Sequence, residues 1–162
     1  MRFSLILPAV FALGLSYDIT FVNKCSDVVN VQYEQNNDKC TGRLLTALSA
    51  GKAETFNLDS VGSKTFRRGS NGKTVASTYS EEVWEPSIIY GLNYKINIAN
   101  GFDVAMQFHT DRENFSPSAH SQGTIQCLDS NCNSGKDWFG NTQQYVEDST
   151  VKDANFTLTF CP

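Results

Sequence analysis

The most regular feature of the chain is an alternation of apolar and polar residues with a period of two. Val29, Val31 and Tyr33 alternate with Val28, Asn30 and Gln32, Phe56 and Leu58 flank Asn57, and Tyr94, Ile96 and Ile98 alternate with Lys95 and Asn97. Phe102, Val104, Met106 and Phe108 then alternate with Asp103, Ala105, Gln107 and His109. Successive side chains of a strand point to opposite faces, so each run reads as a half-buried strand. Turn-forming residues separate the runs at Asn36-Asn37-Asp38, Ala50-Gly51, Ser60-Val61-Gly62, Gly69-Ser70-Asn71-Gly72 and Asn100-Gly101. The Asn-Gly step between two alternating runs predicts a hairpin joining 94–98 to 102–108. No stretch of a dozen residues carries a helical period, and there is no internal repeat or low-complexity tract. Many short strands joined by polar turns predict an all-β fold built as a two-sheet sandwich.

The two ends share one pattern. Tyr17-Asp18-Ile19-Thr20-Phe21-Val22-Asn23-Lys24-Cys25 and Asn155-Phe156-Thr157-Leu158-Thr159-Phe160-Cys161-Pro162 both alternate and both reach a cysteine. They read as two strands tied by a Cys25–Cys161 bridge. In the chain-entropy model a loop of that order is worth roughly 4 to 5 kcal/mol, a large part of a small domain's stability.

Met1 and Arg2 precede an apolar run over 3–16 that ends in small residues at Gly14 and Ser16. This reads as a secretory signal peptide over 1–16, too short for a bilayer span, followed by one domain over 17–162; a single anchoring helix is the competing reading. Secretion implies oxidising conditions, so the five cysteines are first of all disulfide partners. Beside Cys25–Cys161, Cys127 and Cys132 can close a short second loop. Cys40 is left over, as a buried or half-buried free thiol, a member of a re-paired network or an intermolecular bridge. Cys127 and Cys132 lack the close spacing of zinc ligands, and only His109 and His120 could complete a site, so no metal and no cofactor are expected.

Without Arg2, 12 basic side chains face 17 acidic ones, a net charge of about −5 that argues against nucleic acid or anionic lipid as partner. A monomer with one core is expected. Two sequons, Asn114-Phe115-Ser116 and Asn155-Phe156-Thr157, allow N-glycosylation. Pro117 directly follows the first, and the second falls in a predicted strand, where a glycan must point to solvent.

At the level of particular segments the chain resembles the thaumatin-like proteins. Tyr17 to Cys25 is similar to that family's opening F-T-I-V-N-K-C, and the closing F-T-L-T-F-C-P to its C-terminus, whose last cysteine pairs with the first. Gly42-Arg43-Leu44-Leu45 with 51–58 resembles its G-R-x-L and G-x-x-W-x-I-N stretch, and Lys64-Thr65-Phe66-Arg67-Arg68 its K-I-W-A-R strand. The run 93–108 resembles F-Y-D-I-S-L-V-D-G-F-N-x-P-M-x-F, and Cys127 and Cys132 stand where the family carries a C-x4-C pair. The matches are collinear over most of the chain. They imply a thaumatin-like antiparallel β-sandwich of about ten strands. Two parts are missing: the cysteine-rich signature around T-G-D-C, and most of the disulfide-dense second domain. The family partners of the C-x4-C cysteines go with that domain, which favours a local Cys127–Cys132 bridge.

The resemblance implies binding of cell-wall polysaccharide, of the β-1,3-glucan class, at an acidic cleft, with weak glucanase activity in some members. Here the glutamate of L-A-E-F is best matched by Glu82, while the two aspartates are replaced by Lys95 and Asn100. A glycosidase needs two carboxylates at a defined separation. Binding rather than catalysis is therefore expected, with Glu82, Asp103, Trp84 and Trp138 as ligand-binding candidates; a weak endo-β-1,3-glucanase using Glu82 and Asp103, or a secreted host-interaction protein without a carbohydrate ligand, are the alternatives. Trp84, Tyr79, Tyr90, Trp138 and Phe139 could stack on sugar rings, and their competing role is to fill the core. His109, near the end of an alternating strand, reads as a surface or hydrogen-bonded residue.

Overall fold

A computed structural model of the chain describes residues 16–35, 42–59, 62–85, 87–111, 124–132, 135–136, 142–143, 145–151 and 154–162, with side chains described outside 80–93 and 135–151. Cys40, Asn114 and Trp138 lie outside the described residues. The described residues form thirteen strands: β1 (Ser16–Asn23), β2 (Val29–Gln35), β3 (Arg43–Leu48), β4 (Ala53–Asp59), β5 (Lys64–Arg68), β6 (Val75–Glu85), β7 (Ser87–Asn97), β8 (Met106–Thr110), β9 (Thr124–Cys127), β10 (Gly135–Lys136), β11 (Thr142–Gln143), β12 (Tyr145–Val151) and β13 (Phe156–Phe160). One sheet of five has the order β4-β1-β13-β8-β9, a second of six has the order β12-β7-β6-β5-β2-β3, and β10 and β11 form a two-stranded ribbon. The fold is all-β, with eleven strands in its two main sheets.

Alternation along the sequence becomes alternation between core and solvent. On β1, Tyr17, Ile19, Phe21 and Asn23 are buried and the residues between them are not; on β2 the buried set is Val29, Val31 and Tyr33. The two inner faces meet through aromatic rings. Phe21 of β1 packs on Phe66 of β5 with centroids 5.1 Å apart, and Tyr94 of β7 packs on Phe108 of β8 and Phe156 of β13 at 5.5 and 5.4 Å. Edge-on and tilted contacts of this kind add about 0.5–1.5 kcal/mol each beyond the area they bury.

Polar groups that cross this core are paired. The Tyr17 hydroxyl meets Thr78 Oγ1 at 2.6 Å, joining β1 to β6 between the sheets, and burial pushes the phenol well above its ordinary pKa, so it is neutral. Lys64, buried at the start of β5, donates to Asp59 Oδ1 of β4 at 2.8 Å and fastens the point where the chain passes from one sheet to the other.

Among the described residues the ladders are antiparallel with one exception. β1 and β13 run parallel, from Ile19 opposite Phe156 to Asn23 opposite Phe160. The reason is the bridge itself. Cys161 follows β13 directly and Cys25 lies two residues beyond β1, so their Cα atoms can lie 5.1 Å apart only if both strands finish at the same end of the sheet. Buried Asn23 sets the turn into Cys25: its amide donates to the Asp27 and Leu48 carbonyls, both at 2.8 Å, and its Oδ1 accepts the Cys25 N–H at 2.8 Å. Cys161 has φ of 54°, the one non-glycine residue with positive φ among those described, and its N–H donates to the Ala105 carbonyl at 2.8 Å. The second disulfide is Cys127–Cys132.

The Asn100-Gly101 hairpin is not formed. Gly101, at φ 106°, does turn the chain, with its N–H on the Ile98 carbonyl at 2.8 Å. However, β7 belongs to the six-stranded sheet and β8 to the five-stranded one, so the turn carries the chain across the sandwich. Phe102 and Val104 fall in that crossing, outside β8.

The two bridges should differ in weight. The long one spans 136 residues and the short one 5, which the loop-entropy model converts to about 5 and about 2 kcal/mol. Denaturant unfolding of a Cys25→Ser, Cys161→Ser double variant is expected to show more than twice the loss measured for Cys127→Ser, Cys132→Ser.

Candidate functional site

At the end of the sandwich where β5 passes to β6, Gly69-Ser70-Asn71-Gly72 makes a tight turn. The Gly69 N–H donates to the Asn30 carbonyl at 2.7 Å, the Gly72 N–H to the Gly69 carbonyl at 3.3 Å, and Gly69 has φ of 69°. Gly72 is required by close approach, because a β carbon there would lie 2.5 Å from the Arg68 carbonyl oxygen. The next residues are held from across the chain. Asp103 Oδ1 accepts the N–H groups of Lys73 and Thr74 at 3.0 and 2.7 Å, and the buried Thr74 hydroxyl accepts the Asp103 and Val104 N–H groups at 3.1 and 3.4 Å. This reciprocal clasp fixes the β7–β8 crossing against the β5–β6 turn.

Between these loops lies an open groove of about 500 Å³, lined by Val28, Asn30, Arg68, the turn 69–72 and Asp103. Asp27 holds the Arg68 guanidinium by an ion pair, so the cation stands oriented at the groove wall. Asn30 and Asn71 can both donate and accept, Asp103 accepts, and Val28, 52% exposed, offers an apolar contact. Planar amide, guanidinium and carboxylate groups beside one exposed apolar side chain can take paired hydroxyls and a C–H face together, which is the chemistry of a neutral sugar.

The candidates read from sequence do not converge. Asp103 reaches the groove, but its carboxylate is engaged in the clasp. Glu82 and Trp84 lie towards the far end of the β6–β7 hairpin, opposite Tyr90 and Ile88. Glu82 is eight residues beyond Thr74 along β6, about 26 Å at 3.3 Å per residue. Paired glycosidase carboxylates stand about 5–9.5 Å apart, so Glu82 and Asp103 cannot act as one pair. Lys95, at one family aspartate position, stands opposite Ser77 with its Nζ 5.1 Å from the Tyr79 ring centroid, and Asn100 is exposed in the crossing turn. His109 is exposed, with Nδ1 2.8 Å from Thr124 Oγ1. Among the described residues no group of three His, Cys, Asp or Glu side chains is placed to hold a metal, and no helix is long and apolar enough to cross a membrane.

Sequence reasoning missed Arg68, Asn30 and Val28. The usable signal was Arg68 directly followed by Gly-Ser-Asn-Gly, an oriented cation next to a loop with little side-chain bulk.

Because the clasp serves two loops, Asp103→Ala is expected to cost about 1–2 kcal/mol through the loss of its two N–H partners. Gly72→Ala should cost more, through collision with the Arg68 carbonyl. Thermal unfolding of both variants checks the order; an Asp103→Ala protein as stable as the parent would remove the clasp from the explanation.

No protein-family model matches the chain, and no curated protein matches it. Solved structures do. The thaumatin-like xylanase inhibitor TLXI superposes with a TM-score of 0.61 at 15% identity, covering 89% of this chain and 99% of that one. The protein elicitor MoHrip2 from Magnaporthe oryzae superposes with a TM-score of 0.56 at 18% identity, covering 90% and 99%. At such identities the likeness is one of fold, and the arrangement of strands around the paired ends is therefore that of a thaumatin-like fold.

Proposed function

We propose that the chain is a secreted thaumatin-like protein that binds cell-wall polysaccharide of the β-1,3-glucan class, in defence, antimicrobial action or wall interaction. Residues 1–16 serve as its signal peptide, and the mature protein works as a glycosylated monomer. The observation that carries the reading is the groove, where Arg68 is oriented by Asp27 and flanked by Asn30, Asn71 and exposed Val28. A neutral, hydroxyl-rich ligand suits that set. The distance between Glu82 and Asp103 supports binding without hydrolysis.

A second reading has its own support. One structural neighbour is named a protein elicitor and another a xylanase inhibitor, and neither name speaks of a bound polysaccharide. On that reading the loops meet a protein or another surface component of a host, and no sugar is bound.

Sedimentation with insoluble β-1,3-glucan separates the two. The purified protein is expected in the pellet without release of reducing sugar, and Arg68→Ala with Asn71→Ala should lower the bound fraction at least fivefold at unchanged thermal stability. Unaltered binding by that variant would exclude the groove. Absence of the parent protein from the pellet would exclude the glucan and leave the host-protein reading.

A further inference from the structure

The outer face of the five-stranded sheet carries no large apolar side chain along its central row. Thr55, Thr20, Thr157, His109 and Thr124 stand side by side across β4, β1, β13, β8 and β9. The Thr20 and Thr55 hydroxyls are 2.8 Å apart. At one end of this face lies Asn155, the exposed first residue of the sequon Asn155-Phe156-Thr157, immediately before β13.

Asn155 sits within a chain of hydrogen bonds. Its main-chain N–H donates to Asp111 Oδ1 at 2.8 Å, its Nδ2 donates to Asp111 Oδ2 at 3.0 Å, and its Oδ1 accepts the Asp18 N–H at 3.4 Å. One carboxylate thus spans the backbone N–H and the side-chain amide of a single residue. The amide proton used for this must be the one on the Cβ side. An N-glycosidic bond, which is a trans secondary amide, replaces the other proton, on the Oδ1 side, and keeps this one. The folded site therefore accepts a sugar without losing its partners.

We infer that Asn155 carries an N-linked glycan that lies over the threonine row of the five-stranded sheet and leaves the groove open. Transfer forms a bond from Nδ2 to C1 of the reducing-end sugar of a lipid-linked oligosaccharide diphosphate. The C1–O bond to the diphosphate breaks, the lipid diphosphate leaves, and the amide gives up one proton. β13 runs from Phe156 to Phe160, away from Asn155 and towards the end where Met106 of β8 faces Phe160, three residues after Asp103. Five residues of strand, about 17 Å at 3.3 Å each, thus separate the sequon from the groove end. A glycan there shields a flat polar face and blocks no ligand. The inference rests on the proposed secretion, and its placement away from the groove rests on the proposed glucan binding there.

The full chain is produced in a eukaryotic secretory host and the protein in the medium is peptide-mapped after enzymatic glycan removal. Deamidation at Asn155, abolished by Thr157→Val and retained by Thr157→Ser, is expected, with glucan binding changed less than twofold by removal of the glycan. Secreted protein with unmodified Asn155 overturns the inference and leaves secretion standing. Glycan at Asn155 with binding restored more than fivefold by its removal overturns the placement away from the groove. Retention of unmodified chain inside the cells overturns the secretion reading and this inference with it.

Discussion

The parallel pairing of β1 with β13 is the contact on which the rest of the structure depends. It joins residues 136 positions apart at its bridged end and puts β1 and β13 side by side within the five-stranded sheet. β4 is then added outside β1, and β8 and β9 outside β13, so every other strand of that sheet is placed through one of the two ends. Pairing two strands this far apart closes a loop of more than a hundred residues. That is an entropic burden which the Cys25–Cys161 bridge removes from the unfolded side.

The same end of the sandwich carries the groove, and the two are mechanically linked. Asn23 closes the turn into Cys25 and holds the Asp27 carbonyl, while the Asp27 carboxylate orients Arg68. On the other side Cys161 donates to the Ala105 carbonyl, two residues beyond Asp103, which clasps Thr74 below the Gly69-Gly72 turn. The bridge thus steadies both walls of the groove without lining it. A site built in this way is preorganised by buried polar contacts, while its ligand-facing groups remain few and exposed.

How much of this could be read from the sequence depends on how locally each feature is determined. The strands at both ends, β2 and the last residues of β7 follow from period-two alternation because burial of one face is written into neighbouring residues. The direction taken after Asn100-Gly101 is not. An Asn-Gly turn is compatible with a hairpin, and what sends the chain to the other sheet is Asp103 meeting Thr74, 29 residues earlier. Glu82 is matched by neighbouring letters, whereas register along an eleven-residue strand decides its place, and there it stands opposite Tyr90 in the ladder. The groove was illegible for a related reason. Val28, Asn30, Arg68 and Asp103 come from separate loops and strand ends, and exposed polar residues carry no periodic signature.

Native-state hydrogen exchange resolved by residue tests the central role of the paired ends most directly. If β1 and β13 hold the fold, the amides of 19–23 and 156–160 exchange only through global unfolding, at the highest protection found in the oxidised protein and no lower than β5 or β7. Exchange of these amides through a lower-energy local opening, with the six-stranded sheet still protected, would show that the termini are fastened onto a core that stands without them, and would contradict the structural argument made from their pairing.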